Sequence, residues 1–337
     1  MPQSRPIVAI TLGDPASVGP EVVVKALATG GLHELCVPVV VGDRRVVERA
    51  LDTTAVALRV STVARPSDAA GEPGLAEVVD VPAYGLDGIE WGRIQANAGR
   101  AAFESIRVAI ELALGREVDA VATAPVNKEA FRAARVTQIG HTEIFGELTG
   151  TPDPLTMFEV RSLRIFFLTR HLPLAEAIRR ITAERTFDAL SRAADALRTL
   201  GVDAPRIAVA ALNPHGGEHG LFGDEEEREL RPAVAKACAA GIDARGPYPA
   251  DSVFWHAAEG RFDAVLSLYH DQGHVAAKMY DFERTVSITC GLPFLRTSVD
   301  HGTAFDIAGT GLASAVSMVE AVRAAARYAY AVRPPVG

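Results

Sequence analysis

The stretch DAVLSLYHDQGHVAAK, residues 263–278, decides how the rest of the chain is interpreted. Its apolar and partly β-branched run, residues 264–268, predicts a buried strand that stops abruptly at the polar sequence beginning with Tyr269. A titratable cluster at the carboxyl end of a buried strand is typical of the ligand site of an open α/β sheet. The simpler alternative is a turn whose polar residues face water.

The same arrangement occurs twice upstream. RIFFLT at residues 164–169 leads into His171, and RIAVAAL at residues 206–212 leads to His215. With His270, three histidines then share one context, the end of an apolar strand. Three imidazoles with an open coordination position are a common catalytic set for a divalent transition metal.

His274 gives a second metal hypothesis, because two histidines four residues apart on a helix can bind one ion. We expect His270 to precede the helix, and Gly273 weakens a helix at this point. We therefore prefer His270, without His274, as the ligand from this stretch.

Composition limits the class of partner. The chain has 337 residues and a net charge of −8, which disfavours nucleic acid because phosphate backbones bind clustered Lys and Arg. The sequence shows no signal peptide or membrane-length apolar run, and Cys36, Cys238 and Cys290 are predicted to be buried free thiols. We expect a cytoplasmic protein that binds neither nucleic acid nor membrane.

Other segments predict less. Strands at residues 156–160 and 164–169, joined by a tight connection, suggest an antiparallel pair and hence a sheet of mixed direction. Residues 55–90 show no regular pattern. The acidic residues 224–227 are interpreted as the solvated start of a helix.

Three polar residues follow or precede predicted elements in the middle of the chain. Lys128 leaves a predicted strand and suits an anion contact, a proton shuttle or a solvated helix start. His141 and Thr142 precede a helix-like segment, where a His-Thr pair can bind an anion. A plain loop residue is the alternative for His141.

Eight motifs carry a family resemblance over about residues 6–320. They are GDPASVGPE, TAPVNKEA, GHTE, TRHLPL, LNPHGGE, GDEE, YHDQGH and GLPFLRTSVDHGTAFDIAGTG. The chain resembles the 4-hydroxythreonine-4-phosphate dehydrogenase family of vitamin B6 (pyridoxine) biosynthesis, which includes relatives acting on 4-phospho-D-threonate and 4-phospho-D-erythronate.

The resemblance implies a two-domain α/β fold similar to isocitrate and isopropylmalate dehydrogenases, with a mixed sheet and a central cleft, and not a GxGxxG Rossmann fold. Its two lobes would be residues 1–130 with 270–337 and residues 131–269, in one catalytic unit. It further implies a homodimer with a shared active site.

The resemblance also implies a set of site residues. A divalent metal (zinc, magnesium, cobalt or manganese) would be bound by His171, His215 and His270, with one ligand from the partner subunit. The residues implied to bind a small phosphorylated hydroxy-acid substrate are His141, Thr142, Lys278, Ser287 and Arg296. Lys128, His141 or a metal-bound hydroxide would serve as the general base.

The segment HGTAFDIAGTG resembles a nucleotide-binding loop, which implies NAD or NADP as cofactor. The implied contacts are Gly302, Thr303, Asp306, Gly309 and Gly311. The implied reaction is oxidation of the 3-hydroxyl of 4-phosphohydroxy-L-threonine or of 4-phospho-D-threonate or erythronate, followed by decarboxylation.

The chain departs from the family pattern at several positions. Ser17 and Val18 replace Gly and Ile of the first motif, and Ser287 stands where the family has a substrate-binding Asn. His274, with HDQGH, DEEER and GTAFDIA, favours the phospho-threonate branch. The alternatives are a dehydrogenase of a non-phosphorylated cis-dihydrodiol carboxylate, against which Lys278 and Arg296 argue, and a non-catalytic metabolite-binding protein.

Overall fold

The structure, a computed structural model, describes three stretches of the chain, residues 5–29, 31–138 and 140–332. The chain divides into a first unit, residues 1–154 with 291–337, and a second unit, residues 155–290. The terminal segments belong to one unit. The boundaries between the units follow residues 154 and 290, later in the chain than the expected boundaries after residues 130 and 269.

A parallel sheet forms the centre of the first unit. Its strands in chain order are β1 (Ile7–Thr11), β2 (Val37–Gly42), β3 (Arg59–Thr62), β4 (Leu75–Asp80), β5 (Ala120–Thr123) and β12 (Leu295–Val299). Their order across the sheet is β3-β4-β2-β1-β5-β12, and neighbouring strands run parallel. The carboxyl ends of β1, β5 and β12 therefore lie side by side at one edge.

The helices of the first unit are α1 (Gly19–Ala28), α2 (Leu32–Leu35), α3 (Arg44–Thr54), α4 (Ala96–Leu114), α5 (Lys128–Ala133), α6 (His141–Thr149) and α12 (Val316–Val332). Ile106 of α4 lies in one core cluster with Phe131, Ile144 and Phe145. Because α5 and α6 bury their apolar side chains in this cluster, they stay with the first unit beyond residue 130.

The second unit is built on a mixed sheet. Its strands are β6 (Leu155–Val160), β7 (Leu163–Phe167), β8 (Arg206–Ala210), β9 (Asp243–Tyr248), β10 (Ala264–Ser267) and β11 (Val286–Cys290), arranged as β11-β6-β7-β10-β8-β9. β6 is antiparallel to both β7 and β11, whereas β7, β10, β8 and β9 pair in parallel. The predicted α/β class, the mixed sheet and the antiparallel pair are confirmed.

The helices of the second unit are α7 (Leu174–Arg179), α8 (Ala183–Thr199), α9 (Arg231–Ala239), α10 (Ala250–Ala258) and α11 (His270–Asp281). Its core cluster joins the strand residues Ile165 and Val265 to Phe254 of α10 and Ala277 of α11. β11 pairs with β6 throughout its length, so the second unit extends past residue 269 to Cys290.

β3 and β4 lie where no regular structure was predicted. β3 is an edge strand without a buried residue, and β4 contains the buried Glu77, whose carboxylate accepts hydrogen bonds from the N–H groups of Ala70 and Gly71 at 2.8 and 2.7 Å. β3 therefore lacks the apolar pattern that predicts a buried strand, and in β4 the buried acid interrupts it.

Two composition-based expectations can be compared with the structure. Cys36, Cys238 and Cys290 are free thiols, but Cys238 is exposed, so the prediction that all three are buried is wrong for this residue. Over the described parts of the chain, no helix combines the length and the apolar character needed to cross a membrane.

Candidate functional site

Two of the three strand-end histidines come together in the second unit. The strands β7 and β10 are parallel neighbours, with Phe167 opposite Ser267, so the segments that leave them start at the same edge. Both strands end earlier than predicted, and the rings of His171 and His270 then lie 5.9 Å apart. A cavity of about 370 Å³ at this edge is lined by residues 170–174, Ala177 and residues 269–271.

His270 is oriented by its neighbour. Its Nδ1 lies 2.6 Å from Oδ1 of Asp271. A carboxylate on one ring nitrogen fixes the tautomer of an imidazole and leaves the other nitrogen for a metal ion. The sequence analysis did not predict this role of Asp271, although a carboxylate next to a histidine in the sequence can indicate such an orienting contact.

The expectation that His270 precedes its helix is wrong. α11 begins at His270, so His270 and His274 lie one turn apart on the same helix and their rings stack with centroids 3.6 Å apart. Gly273 does not break the helix. The glycine allows α11 to approach β7 and β10 closely, because a Cβ at this position would lie 2.5 Å from Phe167 and 3.0 Å from Ser267.

His274 is held in an apolar setting. Its ring packs against those of Phe158 and Phe167, with centroids 4.4 and 4.7 Å away, and its Nδ1 lies 2.8 Å from the carbonyl oxygen of His270. Burial lowers the pKa of His274 to about 4. The side chain is thus a neutral imidazole at pH 7.

His215 lies on a turn that local sequence does not favour. Five consecutive residues, from His215 to His219, have positive φ, and His215, Glu218 and His219 among them are not glycine. Left-handed backbone costs an L-residue about 1–2 kcal/mol. This turn therefore depends on contacts from elsewhere in the fold.

A buried acid makes such contacts. Oε1 of Glu226 accepts the N–H groups of Leu212 and Asn213 at 2.8 and 2.7 Å, and Oε2 accepts Nδ2 of Asn213 at 2.8 Å. Glu226 is 1% exposed. The interpretation of residues 224–227 as a wholly solvated helix start is therefore wrong at Glu226, because the side chain turns inward to meet backbone donors.

The imidazoles of His171 and His270 fit part of a metal site. Two imidazoles whose centroids are about 6 Å apart can each direct one nitrogen at a common ion, since Zn–N bonds are about 2.0–2.1 Å. Over residues 5–29, 31–138 and 140–332, however, no three His, Cys, Asp or Glu side chains are grouped to hold a metal ion. The described chain brings His171 and His270 together but does not bring His215 into one group with them.

Lys278 and Ser287 lie on the same part of the second unit. Lys278 is one turn after His274 on α11, with its Nζ 5.1 Å from the ring centroid of Phe282. Ser287 of β11 is directly opposite Phe158, which contacts His274. Directly opposite residues on antiparallel strands face the same side of the sheet. Ser287 therefore faces the side on which α11 packs.

The first unit contains a buried cation, Arg296. Arg296 of β12 is 3% exposed, its Nη2 donates to Oγ1 of Thr123 at 2.6 Å, and its guanidinium carbon lies 5.2 Å from the ring centroid of Phe145. Burial lowers the pKa of Arg296 to about 9. A phosphate or carboxylate group would stabilise the charged guanidinium.

His141 lies close to this cation. Its ring is 6.4 Å from that of Phe145, and its Nε2 is buried without a hydrogen-bond partner. Burial, with the charge of Arg296 as a second cause, holds the pKa of His141 well below its usual value of 6.5. The imidazole is therefore neutral at pH 7 and has a nitrogen available to a ligand.

Lys128 and Thr142 complete this group. Lys128 begins α5 and is exposed, and a Cβ added at Gly140 would lie 3.7 Å from its Cε. Thr142 is the second residue of α6, whose N-cap, Gly140, has no side-chain cap. The first unit thus brings together Lys128, His141 and Arg296, which the sequence left apart.

The predicted cofactor segment, residues 302–311, packs on the first motif. The buried carboxylate of Glu21 in α1 accepts the N–H groups of Gly309 and Gly311 at 2.6 and 2.7 Å, and Lys25 donates to the carbonyl oxygen of Ala313 at 2.8 Å. Gly302 is exposed, and a Cβ there would meet nothing within 4 Å. An anchored loop with an open backbone fits a nucleotide-binding role.

The backbone of the segment also contacts the first motif at Val18. Thr303 accepts the N–H of Val18 at 3.2 Å through its carbonyl oxygen, while Asp306 is exposed. Ser17 fits its turn without glycine's freedom, because its hydroxyl donates to the carbonyl oxygen of Asp14 at 2.7 Å and accepts the N–H of Gly19 at 3.0 Å. The departure at Ser17 is therefore accommodated.

Comparison with known proteins identifies close relatives. The family model described as pyridoxal phosphate biosynthetic protein PdxA matches residues 34–325. The chain is 62% identical, over 98% of both chains, to a Symbiobacterium thermophilum protein named "Putative D-threonate 4-phosphate dehydrogenase". A Halalkalibacterium halodurans protein of the same name is 55% identical over 96% of this chain and 97% of the relative.

Solved structures superpose on this chain over nearly its full length. A 4-hydroxythreonine-4-phosphate dehydrogenase from Klebsiella pneumoniae superposes with a TM-score of 0.90 at 42% identity, covering 97% of this chain and 99% of that one. A terephthalate 1,2-cis-dihydrodiol dehydrogenase from Burkholderia xenovorans has a TM-score of 0.66 at 29% identity, over 95% and 97% of the two chains.

Proposed function

The chain belongs to the PdxA family, and from that premise we propose that it is an NAD(P)- and divalent-metal-dependent dehydrogenase of 4-phospho-D-threonate. Oxidation of the 3-hydroxyl gives a 3-keto acid, and a β-keto acid readily loses carbon dioxide. The observation that carries the proposal is the pair of imidazoles of His171 and His270, 5.9 Å apart beside a cavity. The names of the most similar relatives favour the threonate ester over 4-phosphohydroxy-L-threonine and 4-phospho-D-erythronate as substrate.

The metal ligands proposed are His171, His215 and His270, one of them contributed across a subunit interface. A divalent ion such as zinc, magnesium, cobalt or manganese, when bound, would supply Lewis-acid polarisation of the substrate hydroxyl. The carboxylate of Asp271 orients His270, because it lies 2.6 Å from Nδ1 and leaves Nε2 as the donor atom.

The remaining substrate contacts divide by charge. Arg296 and Lys278 supply the positive charge that a phosphate ester requires, and Thr142 and Ser287 supply hydroxyl groups. His141 is neutral at pH 7, so it serves as a hydrogen-bond partner or a proton acceptor and not as a cation for the phosphate. Lys128 remains the second candidate for the general base.

The cofactor proposed is NAD or NADP on the loop that contains Gly302, Thr303, Asp306, Gly309 and Gly311, where the nicotinamide would accept the hydride. Glu21 keeps the backbone of this loop in place through Gly309 and Gly311. Cytoplasmic location follows as part of the same proposal, since both cofactors and phosphorylated acids are metabolites of that compartment.

We also propose a homodimer with a shared active site. Val275, Met279 and Phe282 are 60%, 81% and 64% exposed at helical spacing on and just after α11, the helix that begins with His270. An apolar stripe of this kind is typical of a protein–protein interface. Sedimentation analysis of the wild type and of Met279→Lys tests this, and a wild-type monomer at micromolar concentration would contradict it.

Substrate preference is tested by measuring reduced-nicotinamide formation with metal-reconstituted protein. The three phosphorylated candidates and a phosphate-free cis-dihydrodiol carboxylate are run side by side, with NAD and NADP in turn. We expect the highest kcat/KM with 4-phospho-D-threonate. Preference for the phosphate-free substrate would favour the activity that names the Burkholderia xenovorans protein, and absence of hydride transfer to either cofactor with any of them would contradict the dehydrogenase assignment.

A further inference from the structure

We propose that Glu226 is a positioning residue for His215: its buried carboxylate holds the left-handed turn that carries the histidine in the conformation required for metal binding. The inference rests on the proposed metal-dependent function, because it assumes that His215 is a ligand. It adds a role for an acid that makes no contact with substrate or metal.

The contacts of Glu226 reach the start and the centre of the turn. Its Oε1 receives the N–H groups of Leu212 and Asn213, which lead into the turn, at 2.8 and 2.7 Å. A Cβ built at Gly217, in the middle of the turn, would lie 2.8 Å from Oε2. One carboxylate thus fixes where the turn begins and how closely its centre approaches Glu226.

The turn needs such a support because its own sequence opposes its conformation. His215, Glu218 and His219 adopt φ values of 54°, 43° and 56°, which L-residues rarely adopt. Bonds within the turn also contribute: Gly216 donates to the carbonyl oxygen of Asn213 at 3.1 Å, Leu221 to that of Glu218 at 3.3 Å and Phe222 to that of Gly217 at 3.2 Å. Glu226 adds an anchor from outside the turn, and the proposal assigns the direction of the imidazole to this anchor.

Charge is part of the support. Both oxygens of Glu226 accept from N–H groups, and Nδ2 of Asn213 is shared between Oε2 of Glu226 at 2.8 Å and Oε2 of Glu225 at 2.7 Å. A glutamine at position 226 has the same shape, but its NH2 group would face a donor whichever way the amide is turned. Glu226→Gln therefore removes the anchor with little change in volume.

The test measures Co²⁺ affinity and the visible absorption spectrum of the bound ion, in the full-length protein, for Glu226→Gln, Glu227→Gln and His215→Ala. Glu227 is the matched control, because it is adjacent, exposed and paired with Arg231 at 2.7 Å. Loss of groups that orient metal ligands typically weakens binding about 10- to 100-fold. We expect a loss of this size and an altered spectrum for Glu226→Gln, and wild-type values for Glu227→Gln.

Gly217→Ala gives a second route that keeps Glu226 and its charge, since the added methyl group would displace the turn from the carboxylate. It should weaken Co²⁺ binding in the same way. Hydrogen exchange of residues 213–222 in the metal-free proteins should show protection in the wild type that Glu226→Gln lacks.

Two results separate this inference from the function it rests on. Wild-type Co²⁺ affinity and spectrum in Glu226→Gln, together with loss of binding in His215→Ala, would overturn the role of Glu226 and leave the metal site in place. Wild-type binding in His215→Ala would overturn the metal assignment of His215 and the inference with it.

Discussion

Replacing Arg296 by methionine is expected to stabilise the ligand-free protein while it abolishes binding of the phosphorylated substrate. The guanidinium is buried, and burial lowers the pKa of Arg296 to about 9 because it disfavours the charged form. Methionine has a similar length and no charge to bury.

The magnitude follows from the pKa shift. One pKa unit corresponds to about 1.4 kcal/mol, so the lowering of the Arg296 pKa to about 9 limits the cost of the buried charge at pH 7 to a few kcal/mol. The variant also loses the hydrogen bond to Thr123, worth about 1 kcal/mol. We therefore expect the free energy of unfolding to rise by on the order of 1 kcal/mol.

The pH dependence provides the sharpest test. Because the folded-state pKa of Arg296 lies below the unfolded one, the unfolded state binds more protons once pH rises above about 9, and the wild type gains stability as pH rises further. The stability difference between Arg296→Met and wild type should therefore be largest near pH 7 and begin to shrink as pH approaches 10.

The assay is thermal and urea unfolding of the metal-free and ligand-free proteins at pH 7, 8, 9 and 10, repeated at pH 7 with 4-phospho-D-threonate. Arg107→Met is the control, since Arg107 is a half-buried helix arginine paired with Glu104 and Glu111 near the surface and should change stability little. Ligand should stabilise the wild type and the control but not Arg296→Met. If Arg296→Met is less stable than wild type at pH 7, or if the difference does not change with pH, the reasoning about the buried charge is wrong.

Three further predictions concern a proposed metal ligand, a substrate contact and the support of the cofactor segment. His270→Ala should lose Co²⁺ binding and turnover while its melting temperature in the metal-free state stays close to that of the wild type, and wild-type turnover would rule out the proposed ligand. Ser287→Asn should raise the ratio of kcat/KM for 4-phosphohydroxy-L-threonine to that for 4-phospho-D-threonate, whereas an unchanged ratio would show that this position does not select the substrate. Glu21→Gln removes an acceptor from Gly309 or Gly311 and should weaken NAD(H) binding about 10-fold, from the loss of about 1.5 kcal/mol for a hydrogen bond to a charged group, with Co²⁺ affinity unchanged. A wild-type dissociation constant for both cofactors in Glu21→Gln would separate this loop from cofactor binding.

Local patterns were sufficient for much of the second unit. Apolar runs predicted the strands β7, β8 and β10, and the residues after them predicted three strand-end histidines, of which His171 and His270 meet at one sheet edge. These two come together because parallel neighbours in an α/β sheet end together, whereas the left-handed turn after β8 gives His215 a position that its strand does not determine.

The same patterns failed where a residue's environment is made by distant backbone. The acids Glu77 and Glu226 look like surface residues in sequence, yet each is buried because backbone N–H groups from other segments meet its carboxylate. Periodicity reports which face of an element is apolar, but it does not report where unpaired donors of a loop are located.

The sequence by itself determined the α/β class, the antiparallel strand pair, the family and the candidate histidines, since these follow from apolar runs and motif order. Only the tertiary structure decided that α11 begins at His270, that Arg296 is a buried cation beside His141, and that Glu226 supports the turn of His215. Helix starts, burial and loop support depend on contacts between segments far apart in the chain, and such contacts leave no local pattern to read.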